Sequence, residues 1–330
     1  MRASGSAKDD HLSRSQTRVT THLVIGAGPV GSEVATRLAT AGKSVVIVTR
    51  RGSGPHDSGI RTVAADASSV DALLAAAPTA EAVYNCVNPE YHRWARDWPP
   101  LATAFLSYAE RTGAVLATCS NLYGYGPVTG RLTESLPLAS HGTKGQIRAS
   151  MWLDAQALHE AGRIRATEVR GSDYICAGEQ SLVGSSRVVP RILAGKSVSL
   201  LGSIEAEHSW TSPVDVARLL IEVASSERAW GRAWHVPTNA PRTQHQVIDD
   251  LADAAGVPHV RVSQLSPAIV RLLGLVNPAI RELKETAYQR DRSFVIDDSA
   301  ARTTFHIEPT PWQSILQSVI APYRRSNEGG

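Results

Sequence analysis

The sequence predicts an α/β fold, a doubly wound parallel sheet with a smaller, mostly helical C-terminal substrate domain. Three observations carry that expectation. The first half alternates short, continuous apolar runs with amphipathic stretches, the pattern of buried parallel strands joined by crossover helices. A glycine-rich turn separates the first apolar run from the first amphipathic stretch. Past Tyr174 the alternation gives way to helical patterns broken by prolines.

The element order begins at THLVIGAGPVGSEVATRLATAGKSVVIVTRRGSG. Residues 23–25 form a short apolar strand, and Gly26, Gly28 and Gly31 come next at G-x-G-x-x-G spacing. Pro29 and Val30 open a helix whose apolar face is Val30, Val34 and Leu38, and after Gly42 the run SVVIV is a second buried strand. Strand, glycine turn, helix and strand make one Rossmann-type βαβ unit. Gly26 permits the tight turn, Gly28 lets backbone amides approach a pyrophosphate, and Gly31 lets the helix pack on the strand. The helix N-terminus turns its positive dipole toward the phosphates.

The residues just past the second strand select the cofactor. A carboxylate there would bind the adenosine ribose hydroxyls of NAD. This chain has Thr49, Arg50 and Arg51 instead. Paired guanidinium groups suit a 2′-phosphate, so NADP is expected over NAD; the alternative is two solvated loop arginines.

RTVAAD reads as a third strand, with Asp66 either touching the adenine or capping a helix over 68–76. EAVYNCV is a fourth strand broken by Asn88 and Pro89, with Asn85 at its carboxyl end. PPLATAFLSYAERTG is a helix opened by proline and closed by Gly113, and AVLATCS a fifth strand ending at Ser120. A long helix spans Thr143–Glu160, and RATEVRG is a sixth strand. Ligands bind such sheets at the carboxyl ends of strands, so Asn85, Ser120 and residues 170–174 should meet in one cleft. Residues 19–175 form the nucleotide-binding domain, to which 206–237 returns, and 176–330 the substrate-binding domain.

Composition narrows the function classes. A net charge of +3, spread as single arginines, gives no footprint for nucleic acid. Cys86, Cys119 and Cys176 are far apart, so reduced thiols of a cytoplasmic protein are expected. Residues 1–18 lack the apolar core of a secretory signal and read as a disordered tail. The most apolar run, PAIVRLLGLVNPAI, is interrupted by Arg271 and two prolines, so no membrane span is expected. The 11 histidines are dispersed, with no H-x-x-x-H pair, and a metal site is not expected.

These motifs resemble the extended short-chain dehydrogenase/reductase family, in its NAD(P)-dependent epimerase/dehydratase branch. The resemblance runs from Val19 to Tyr323 and rests on the glycine fingerprint, CSNLYGYGP, VRGSDYICAG and the helix in HSWTSPVDVARLL. It implies an NADP- or NAD-dependent oxidoreductase or epimerase acting on a small hydroxylated or carbonyl metabolite. It also implies Ser120 as a hydrogen-bond donor to a substrate oxygen, Tyr123 and Tyr125 at the pocket edge, Asn85 near the nicotinamide ribose, and Asp215 as a helix-capping residue. The helices over 99–112 and 143–160 match the family's dimer surface, which implies a homodimer.

One departure stands out. The family's Y-x-x-x-K pair falls in ASHGTKGQIRASMW, residues 139–152, which contains no tyrosine. Register SHGTK puts Ser140 at the tyrosine position and Lys144 at the lysine; register KGQIR puts Lys144 and Arg148 there. Spacing from Ser120 favours the second. Arg148 would then hold ribose hydroxyls, and Lys144, its proton affinity reduced by the like charge of Arg148, would transfer the proton. The alternatives are that both cations bind the cofactor or lie solvated. The missing phenol also leaves open an NADP-binding sensor or scaffold without turnover, or an isomerase that keeps NADP as a fixed prosthetic group.

Overall fold

A computed structural model describes residues 20–276 and 281–328. The tail expected at 1–18 lies outside the described residues. Seven strands form one parallel sheet in the order β3-β2-β1-β4-β5-β6-β8. They are β1 Thr21–Ile25, β2 Ser44–Thr49, β3 Ile60–Ala64, β4 Ala82–Asn85, β5 Val115–Asn121, β6 Arg165–Gly171 and β8 Ala233–His235. Central β1 is buried from His22 onward, whereas edge strand β3 keeps Arg61 and Ala64 exposed. That contrast arises because helices cover both faces of the central strands.

On one face lie α1 (Pro29–Thr40) and α6 (Pro213–Ser225), which share a core with Val24, Ile47, Ala117 and Trp234. On the other lie α2 (Val70–Ala76), α3 (Trp94–Thr112) and α4 (Thr143–Glu160), packed on Leu23, Val46, Val83 and Leu116. A third core joins α5 (Val189–Leu193), α7 (Gln244–Ala255) and the C-terminal helix Trp312–Glu328. Beside it, β7 (Val198–Leu200) and β9 (Val262–Gln264) form a separate two-stranded parallel sheet.

The chain returns to the main sheet twice after Tyr174. One return is α6 with β8, which pairs with β6. The other is the helix Ser299–Phe305, whose Ala301 and Phe305 join the core that holds Trp234. The sequence pattern shows the first return but not the second.

Three local expectations are corrected. Helix α3 starts at Trp94, five residues before Pro99, so both prolines lie inside it. Trp94 and Trp98, one turn apart, are fully buried and anchor that first turn, while Pro99 and Pro100 face solvent. Asp66 does not cap α2: it accepts hydrogen bonds from the Ser68 amide and hydroxyl, and Ser69 caps the helix through the Ala72 amide. Asp215 is likewise not a cap, since Ser212 fills that position on α6. Asp215 is buried one turn in and accepts from the Thr310 amide and hydroxyl and from Arg218, tying the C-terminal segment to α6. No described helix is long and apolar enough to cross a membrane.

Candidate active site

Strand order reverses between β1 and β4, so the crevice beyond their carboxyl ends is the natural ligand position. The glycine turn sits at its floor. Gly26 has φ +99°, and a side chain on Gly31 would meet the Gly26 carbonyl at 2.0 Å, so helix and turn depend on both lacking one. Gly28 is different. It sits in extended backbone at the N-cap of α1, and a Cβ built there meets nothing within 4 Å. Among the described residues none approaches that position, and no side chain caps the helix. Pro29 and Val30 begin α1 beneath that space. Arg50 and Arg51 come after β2 in an exposed turn, and Asp66 lies just past β3 at the same end of the sheet.

Asn85 and Ser120 lie at the ends of their strands, as the sequence pattern implied. The Asn85 side-chain oxygen accepts from the Val87 amide, which leaves Nδ2 buried and without a protein partner. The Ser120 hydroxyl is also buried and unpartnered. So are Nε and Nη1 of Arg148, whose guanidinium lies over the rings of Trp94 and Trp98 at 4.8 and 4.3 Å. Burial is the main influence on Arg148 and pulls its pKa below the usual arginine value. A buried polar group without a partner costs about 1–3 kcal/mol. Such donors at the carboxyl ends of the adjacent strands β4 and β5, with a third on α4, are the mark of a site built for a polar ligand. Donors at Asn85, Ser120 and Arg148, together with the cleared surface over Gly28, fit a nicotinamide dinucleotide.

The first turn of α4 decides the surroundings of Lys144. Gly145 lies against the turn Tyr123–Tyr125: a Cβ on it would fall 2.5 Å from the Tyr123 carbonyl. Lys144, one residue earlier, is fully buried and its ammonium bonds Glu282 at 2.5 Å and Glu285 at 3.3 Å. The Lys144 amide also donates to Glu285. The sequence places only the like charge of Arg148 near Lys144; in the fold its ammonium bonds two carboxylates. They come from a segment 138 and 141 residues away in sequence, which no local pattern reveals.

Sequence reading also missed Tyr91. It lies half-buried between β4 and α3, and its hydroxyl is 2.6 Å from that of Tyr123. Tyr125 leaves the pocket edge altogether. Its hydroxyl accepts from Arg170 at 2.6 Å and meets His235 Nε2 at 2.9 Å, and Arg170 in turn pairs with buried Glu168 at 2.7 Å. Arg170 therefore works inside the core rather than in the cleft. Of the segment after β6, Asp173 does face a cleft, which it lines with His208, Gln244, Arg290 and Arg292. Asp173 pairs with His208 at 3.3 Å; burial opposes its charge, but His208 and Arg290 outweigh that and lower its pKa. Ser172 shares the same histidine nitrogen at 3.2 Å.

Cys86, Cys119 and Cys176 are free, and burial raises the pKa of each thiol, so none is an activated nucleophile. Among the described residues no cluster of three or more His, Cys, Asp or Glu could hold a metal ion.

Comparison with known proteins identifies the family and the fold. The model of the NAD-dependent epimerase/dehydratase family matches residues 22–236. No curated protein matches the chain. Among solved structures, an epimerase from Methanothermobacter thermautotrophicus superposes with a TM-score of 0.77 at 16% identity, covering 94% of this chain and 93% of its own. UDP-glucose 4-epimerase from Thermotoga maritima, solved with UDP-glucose, gives 0.75 at 16% identity over 93% and 99%. The dTDP-glucose 4,6-dehydratase of Bacillus anthracis, in complex with NAD, gives 0.73 at 16% identity over 94% and 98%. With most of the chain matched by the family model and the fold shared over at least 93% of it, the chain belongs to the NAD-dependent epimerase/dehydratase family of oxidoreductase enzymes.

Proposed function

We propose that the protein is a cytoplasmic, NADP-dependent oxidoreductase or epimerase acting on a small hydroxylated or carbonyl metabolite. The observation that carries this reading is the set of buried, unpartnered polar atoms on Asn85, Ser120 and Arg148 beside the open surface of Gly28. When bound, the nicotinamide supplies or takes up a hydride at a substrate carbon. The chain's own residues do the rest. Backbone at Gly26, Gly28, Pro29, Val30 and Gly31 receives the pyrophosphate, and Arg50 and Arg51 receive the 2′-phosphate. Asp66 lies at the adenine end. Asn85 and Arg148 hold the nicotinamide ribose, and Ser120 donates to the substrate oxygen, orienting it for reaction. Lys144, held by Glu282 and Glu285, pins residues 281–287 against α4 and closes the site on that side.

The substrate class has its own support. Arg290 and Arg292 bring two cations to the second cleft against the one carboxylate of Asp173, which suits an anionic metabolite, and two proteins of the same fold are named for nucleoside-diphosphate sugars. A homodimer through α3 and α4 belongs to the same reading; Leu153 of α4 is exposed.

Calorimetric titration of the full chain with NADPH and NADH tests the cofactor choice. NADPH should bind at least about tenfold more tightly, and Arg50→Ala and Arg51→Ala together should remove that preference, about 1.4 kcal/mol. Equal affinities in the wild type, or a preference for NADH that survives both substitutions, would overturn it.

A further inference from the structure

Interconverting a hydroxyl and a carbonyl moves a proton on the oxygen as well as a hydride on the carbon. The proposed function therefore requires a proton-exchanging group beside Ser120. The ammonium of Lys144 is already engaged by two carboxylates. The Tyr91–Tyr123 pair is another matter. Two hydroxyls 2.6 Å apart carry two protons but share one hydrogen bond, so one proton remains to be donated elsewhere. Both rings are held by Trp94, which lies edge-on to Tyr91 at 5.1 Å and stacks on Tyr123 at 5.9 Å. Tyr123 is three residues beyond Ser120 and almost fully buried, whereas Tyr91 is half-buried.

Resting on the proposed function, we infer that Tyr123 and Tyr91 form a two-phenol proton relay, with Tyr123 exchanging a proton with the substrate oxygen and Tyr91 joining it to solvent. In the reductive direction a bound reduced nicotinamide would supply the hydride for the new C–H bond and be oxidised by it, the C=O π pair moving to oxygen. That oxygen takes the Tyr123 proton, Tyr91 passes its own along the hydrogen bond, and water reprotonates Tyr91. The oxidative direction runs the same transfers in reverse. The charges around the pair suit this traffic. Arg148 and Lys144 approach from α4, the latter with Nζ 5.8 Å from the Tyr91 ring, and Asp173 and Arg290 approach from the opposite cleft. Burial raises the pKa of both phenols, and the hydrogen bond between the two hydroxyls, with Arg148 and Arg290, offsets part of that rise at Tyr91. Both therefore hold their protons until the substrate oxygen becomes basic.

The test uses the full chain with isotope-labelled tyrosine ring carbons, the Tyr91 resonance being assigned from Tyr91→Phe, which keeps the ring against Trp94. Without cofactor, Tyr123→Phe should move the Tyr91 titration to higher pH. Bound NADP⁺, compared with NADPH, should move it down by about one unit, the effect of one added positive charge several ångströms away. Where the wild type turns over UDP-glucose or dTDP-glucose, either phenylalanine substitution should lower the rate about a hundredfold while cofactor affinity stays within about twofold. A Tyr91 titration that ignores both Tyr123→Phe and calorimetrically bound NADP⁺, or full turnover in either variant, overturns the relay and leaves the cofactor reading standing. Absence of any dinucleotide binding overturns that reading and the relay with it.

Discussion

Replacing Arg148 with methionine separates the two things this side chain does. In the free protein its guanidinium gains from two aromatic faces, at 4.8 and 4.3 Å. Desolvated interactions of that kind are worth about 1–2 kcal/mol each. Against them stand two buried N–H groups without partners, at about 1–3 kcal/mol each. Methionine keeps much of the apolar packing on the tryptophans and removes both donors. The relieved desolvation equals or exceeds the forfeited aromatic attraction, by about 0–2 kcal/mol. For a chain of this size that corresponds to a melting temperature unchanged or up to about 3 °C higher. Cofactor binding should move the other way. Hydrogen bonds from a charged donor contribute about 1.5–3 kcal/mol, so NADPH affinity should fall about tenfold to a hundredfold. Differential scanning calorimetry without cofactor and titration calorimetry with NADPH measure the two effects on one preparation. A variant that melts several degrees lower yet binds NADPH as tightly as wild type would refute the reasoning. Arg148 would then be a strut between two tryptophans.

Gly28→Val should fold normally, because Gly28 has extended backbone and open space around it, yet lower NADPH affinity at least about tenfold by occupying the pyrophosphate position. Full affinity in that variant would place the dinucleotide elsewhere. A further expectation concerns acid. Burial lowers the pKa of His235 and of His22, so each is favoured neutral in the folded chain and binds protons more readily when unfolded. Their contribution is present above the unfolded value of about 6.5 and is lost as pH falls below it toward the folded values. Protonating His235 would also cost the bond its Nε2 accepts from Tyr125 while Nδ1 donates to the Asp297 carbonyl. Thermal melts should drop between pH about 7 and about 5, and His235→Gln should flatten that drop; a wild-type melt independent of pH over this range would contradict the assignment.

Features that depend on neighbours along the chain were legible in the residues alone. A buried parallel strand must be continuously apolar, and a glycine turn must place three residues at fixed spacing, so the βαβ unit, helix α4 at Thr143–Glu160 and strand β6 at Arg165–Gly171 could be read directly. Asn85 and Ser120 were legible for the same reason: strand ends define the crevice in an open α/β sheet. Pairings between residues far apart in sequence emerge only once the chain is folded. Lys144 meets Glu282 and Glu285 only because the C-terminal segment folds back on α4. Tyr91 meets Tyr123 across 32 residues because β4 and β5 are adjacent parallel strands, so the segments that follow them come together. Arg170 and Tyr125 sit near the crevice in the chain pattern, but Glu168 and His235 draw them into the core. A buried charge or hydroxyl goes where a partner can satisfy it, and partner identity is set by which strands and helices become neighbours, which periodicity along one segment does not encode.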